Sequence, residues 1–107
     1  MGWDIKIINT SSNEYQDVST YLPISNLTWN YSRPDCQKYW YGPDDMDDKT
    51  VKEVIQNMER AVSEMIADGI VMGDCFVRDD IPGFLNYLIR QYQGFIKMPR
   101  DWKVKLQ

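Results

Sequence analysis

At 107 residues the chain is the size of one domain, and 43% hydrophobic with 13% aromatic residues is too apolar a composition for disorder. A net charge of −4 disfavours duplex nucleic acid and anionic membranes as partners, since both reward basic patches. The longest apolar runs span a few residues, too short for a transmembrane helix.

Residues 3–8, WDIKII, alternate Trp3, Ile5 and Ile7 against Asp4 and Lys6, the period-two pattern of a half-buried strand. Residues 9–25 are rich in Ser, Thr and Asn and read as a loop or irregular excursion. The stretch NLTWNYS, residues 26–32, is a further strand candidate, with Leu27, Trp29 and Tyr31 on one face. Between residues 26 and 45 the aromatics concentrate: Trp29, Tyr31, Tyr39, Trp40 and Tyr41, interleaved with Arg33 and Lys38.

A helix is predicted from about Thr50 to Asp68. Thr50 and Glu53 form a capping box, and Asp47 and Asp48 precede it where the helix dipole favours carboxylates. Val51, Val54, Ile55, Met58, Val62, Met65 and Ile66 make its apolar stripe, and Gly69 ends it. A second helix is predicted from about Ile81 to Lys97, opening with Asp79, Asp80 and Pro82 and stopped before Pro99. Its stripe is Phe84, Leu85, Leu88, Ile89, Tyr92, Phe95 and Ile96. WKVKL at 102–106 returns to strand alternation and is expected to pair with the first strand. The chain therefore reads as a single α+β domain over 1–107: a small sheet including paired terminal strands, packed against two main helices.

The sequence removes several chemistries. There is no histidine, hence no Ser-His-Asp or Cys-His catalysis. Six scattered glycines match neither a P-loop nor a dinucleotide fingerprint. The carboxylates of PDDMDD, residues 43–48, lack the order of a calcium loop and read as helix N-terminal charge rather than a metal site. No cofactor and no catalytic residue is expected. Residues 1–20 show no basic stretch followed by an apolar one, so no secretory signal is predicted and a cytoplasmic setting is expected. The sequons at Asn9, Asn26 and Asn30 then carry no weight. In that compartment Cys36 and Cys75 read as two reduced thiols, with a disulfide as the alternative.

The aromatic segment carries the one usable chemistry. Nucleobases stack on aromatic faces, arginine offers phosphate a planar fork, and an amide reads a base edge with one donor and one acceptor. Trp29, Asn30, Tyr31, Arg33, Tyr39, Trp40 and Tyr41 are the candidate ligand-binding residues. The competing reading makes the same rings core filling. A third makes them anchors of a protein interface, where Trp, Tyr and Arg are also the dominant residues.

Asn26, Leu27, Thr28, Asn30, Tyr31 and Ser32, followed by the Thr50/Glu53 helix start and by Met98, Pro99 and Trp102, carry a resemblance. The chain resembles small proteins of phage and prophage genomes with an N-(I/L)-T-x-N-Y-(S/G) motif. It departs from them at RPDCQK, residues 33–38, and at PDDMDD. The resemblance implies a phage-type context in a host cytoplasm. There a small protein without catalytic residues acts by binding, sequestering a nucleotide-like defence signal or engaging a host protein. A homodimer is a further expectation, should Tyr39, Trp40 and Tyr41 form an exposed patch that a two-fold axis covers.

The nucleotide reading predicts that Arg33→Ala weakens binding by roughly 1.5–3 kcal/mol with the fold intact. Arg33→Lys should recover only part of that. Calorimetry against linear and cyclic nucleotides measures both.

Overall fold

The computed structural model describes residues 5–9, 14–17, 34–40, 46–74 and 80–106. Its elements run β1 (Ile5–Asn9), β2 (Glu14–Asp17), α1 (Pro34–Gln37), α2 (Val51–Ala67), α3 (Ile81–Phe95) and β3 (Lys103–Leu106). The three strands form one antiparallel sheet in the order β2-β1-β3. β1 pairs with β3 so that Ile7 lies opposite Val104 and Ile5 opposite Leu106. The terminal strands are thus joined, and the α+β class read from the sequence is the one found. Trp3 and the candidate strand at 26–32 lie outside the described residues.

Two elements depart from the sequence reading. The stretch expected to be a loop, residues 9–25, contains β2, registered against β1 from Lys6–Asp17 to Asn9–Glu14. Glu14–Asp17 reads EYQD and has no apolar alternation. Its extended form comes from the backbone pairing that β1 offers along its open edge, which local sequence does not signal. The second is α1, a single turn. Pro34 occupies its first position, where a missing N–H costs nothing, and Asp35 Oδ1 accepts from the Cys36 amide at 3.1 Å.

α2 is built as its signals indicate. Thr50 is the N-cap, its hydroxyl oxygen accepting from the Glu53 amide at 3.2 Å. At the other end Gly69 has φ +82, in the left-handed region. Its amide donates to Ile66 O and that of Ile70 to Met65 O, the paired bonds of a Schellman stop. Val51, Val54, Ile55, Met58, Ala61 and Met65 are buried. Ile66, expected in this stripe, is instead exposed. At 3.6 residues per turn it lies about 80° round the axis from Met58, beyond the edge of the buried arc.

α3 starts at Asp80, whose Oδ1 accepts from Gly83 N at 3.2 Å, with Pro82 in the first turn. It ends at Phe95, two residues short of the expected Lys97, and Arg100 Nη1 donates to the carbonyls of Ile96 and Met98 at 3.0 and 2.7 Å. These bonds satisfy carbonyls that every helix end leaves without intrahelical partners. Ile96, expected in the stripe, is partly exposed here. The buried arc of α3 is wide, taking in Tyr87, Gln91 and Gly94 besides Phe84, Leu85, Leu88 and Phe95. α3 packs against α2 and also touches α1.

Ile5, Ile7 and Val104 from the sheet join Val51, Val54, Met58 and Met65 of α2 and Phe84, Leu88 and Phe95 of α3 in one core. Val62, Ile89 and Tyr92 are packed on its margin. Ile55→Ala and Leu88→Ala should each cost about 2–5 kcal/mol, whereas Ile66→Ala should stay within about 0.5 kcal/mol. Urea denaturation of the three variants checks this ranking.

Candidate functional site

The segment 34–40 is the described part of the aromatic stretch. It folds back on itself after α1, the amides of Tyr39 and Trp40 both donating to Cys36 O at 3.0 and 3.2 Å. This turn aims both aromatic rings inward. Trp40 is buried, with its ring 6.2 Å from Phe84 and 6.3 Å from Tyr87, both tilted contacts of the kind aromatic pairs favour. Cys36 is a buried thiol in the same core. Cys75 lies outside the described residues.

Tyr39 is buried as a ring and anchored at its polar tip. Its hydroxyl donates to Asp68 Oδ2 at 2.7 Å, and its carbonyl accepts from Arg60 Nη2 at 3.2 Å. Arg60 also pairs with Glu64 at 3.2 Å, and Lys38 stands 5.1 Å from the centre of the Tyr39 ring. The bond to Asp68, then burial, then the negative charges of Asp68 and Glu64 raise the Tyr39 pKa above its ordinary value. The segment is thereby pinned to the C-terminal half of α2.

Of the seven candidate ligand-binding residues, Tyr39 and Trp40 thus have rings taken up by the core. Neither presents a free face on which a base would stack, and neither contributes to the exposed patch on which the homodimer expectation rests. Trp29, Asn30, Tyr31, Arg33 and Tyr41 lie outside the described residues.

The N-terminus of α2, a natural place for an anion, is already occupied by the protein itself. The Val51 amide donates to Trp102 O at 2.8 Å, that of Lys52 to Arg100 O at 3.0 Å, and that of Glu53 to Thr50. In the acidic run before it, Met46 is buried, and Asp48 adopts φ +66 and pairs with Lys105 at 3.1 Å. The hydrogen bond from Lys105, then the charges of Lys105 and Lys103, hold the Asp48 carboxyl below its ordinary range. Among the described residues no three Cys, Asp or Glu side chains gather as a metal site would require.

A different surface emerges beyond the end of α2. Ile66, Val71 and Met72 are 60%, 76% and 54% exposed. The chain carrying them is held in place by the Schellman stop, by the Gly73 amide donating to Pro82 O at 2.8 Å and by Asn86 Nδ2 donating to Gly73 O at 2.7 Å. The sequence reading missed this surface. Its one signal is GIVMG, residues 69–73, a short apolar run between glycines that belongs to no periodic element.

No protein-family model, curated protein or solved structure matches the chain in comparisons with known proteins. No described helix is long and apolar enough to cross a membrane.

A hydroxyl whose pKa is raised on folding contributes stability that is complete below the unfolded value, about 10, and lost as pH rises through the folded value. Tyr39→Phe should therefore cost about 1 kcal/mol at neutral pH. The difference between wild type and variant should shrink as pH climbs beyond about 10. Urea melts of both proteins at intervals from neutral to alkaline pH follow that convergence.

Proposed function

We propose that this protein is a non-enzymatic binding module whose working contact is with another polypeptide, made by the apolar end of α2. The exposure of Ile66, Val71 and Met72 on a hydrogen-bonded support carries this reading. Large apolar side chains left exposed on an ordered framework are candidates for an interaction surface. Small-molecule sites are concave and enclose most of their ligand, whereas residues this exposed project outward and suit a partner that brings its own hollow. Methionine adds adaptability, since its unbranched thioether repacks against varied shapes.

The support also limits the entropic cost of binding. Gly69, Ile70 and Gly73 already have their amides engaged, so little backbone freedom remains to be lost on association. Aromatic residues of 34–40 act here from within: Tyr39 fixes Asp68 and thereby the last turn of α2.

A photoreactive residue placed at Val71 or Met72 should crosslink a defined polypeptide in the source cell, while one at exposed Gln56 on the flank of α2 should not. Once that partner is purified, Met72→Ala should weaken binding by about 1 kcal/mol or more. Equal crosslinking from all three positions would sink the proposal. So would a rise in Tm with a member of a linear and cyclic nucleotide panel, without any polypeptide captured.

A further inference from the structure

Gln91 lies within the buried arc of α3 at 0% exposure; among the described residues it is the one buried polar residue, in a core otherwise of aliphatic and aromatic residues, methionines, Ala61 and Cys36. Neither its amide nitrogen nor its amide oxygen has a hydrogen-bond partner among the described residues. The buried indole N–H of Trp40 is in the same condition. Three orphaned polar atoms in one small core are unusual, because nearly all buried polar groups in native proteins are paired with protein or water.

Trp40 packs on Phe84 and Tyr87. Tyr87 and Gln91 are four residues apart on α3 and therefore adjacent on the same helix face. The indole of Trp40 thus packs against the turn of α3 that precedes Gln91, in the same buried arc. Their chemistry is complementary to a single small guest. The indole supplies a donor only, and the carboxamide supplies donors on nitrogen and an acceptor on oxygen. Water accepts and donates together, and buried waters typically make about three hydrogen bonds to groups that lack other partners.

We propose that Trp40 Nε1 and the Gln91 carboxamide together form an internal hydration site between the 34–40 turn and α3. The water accepts the Trp40 N–H and bonds the amide edge of Gln91, linking the turn to the helix across an otherwise apolar contact. Gln91 is then a positioning residue: through this water it fixes the Trp40 ring, and with it the segment that leads to Tyr39 and Asp68. A leucine or methionine at position 91 would fill the space and leave the indole N–H without any partner.

The experiment pairs water–protein NOE spectroscopy with thermal melts of the whole chain. Wild-type protein should show a water cross-peak to the Trp40 indole proton, assigned by its disappearance in Trp40→Phe. Gln91→Met should abolish that cross-peak and lower Tm by about 4 °C or more. An absent cross-peak in the wild type overturns the proposal by itself, even if Gln91→Met fails to fold. A Gln91→Met variant that keeps the cross-peak, or melts higher than wild type, overturns it as well.

Discussion

The fold hangs on the way its C-terminal segment closes the first turn of α2. A helix begins with amides that have no partner inside it. Here two of them are met by carbonyls from 100 and 102, while Asp48 N and Val104 N exchange bonds with Val104 O and Lys49 O at 2.8 Å each. One stretch of backbone, 100–104, therefore caps α2, pairs with the residues before it and continues into β3. Because β3 is also bonded to β1, the sheet and the helix are joined by hydrogen bonds as well as by packing. Arg100 adds a third tie by holding the end of α3. The Met98–Trp102 tail serves this closure: Met98 is buried and Trp102 packs on the margin of the core.

That arrangement decides what the rest of the surface offers. With its N-terminal amides already engaged, α2 has no anion site to give a phosphate, and its C-terminal end becomes the more available pole. The same end is steadied from the side by Tyr39 and Arg60. Its last turn carries no basic residue of its own to oppose the negative end of the helix dipole. Apolar side chains are exposed at and just beyond this terminus, on backbone whose amides are already engaged.

The α1 segment has the opposite character. Its two described aromatics face inward, Trp40 against Phe84 and Tyr87 of α3 and Tyr39 against the C-terminal end of α2. The Trp40 contact adds to the wide buried arc of α3, within which Gln91 is enclosed. A core that includes a carboxamide and an indole N–H depends on hydrogen bonds for its uniqueness as well as on shape.

Sequence alone determined the elements whose cause is local. Period-two alternation marked β1 and β3, and their common pattern implied their pairing. Thr50, Gly69, Asp80 and Pro82 placed the helix ends to within two residues, because caps and stops are set by the chemistry of a few neighbouring side chains. The stripe Phe84, Leu85, Leu88, Ile89, Tyr92, Phe95 and Ile96 was legible from its helical spacing, but it left out Gln91, whose polarity gave no reason to expect burial. Tertiary structure alone decided the remainder. β2 exists because β1 has an edge to pair with. Tyr39 and Trp40 are core because α2 and α3 supply Asp68, Phe84 and Tyr87, residues about 30 to 50 positions away. Ile66 stays outside because it lies beyond the buried arc of α2, and Val71 and Met72 stay outside in the chain that follows the helix stop at Gly69. A stacking ring and a core ring have the same composition, and only the partners brought from distant sequence determine which one it becomes.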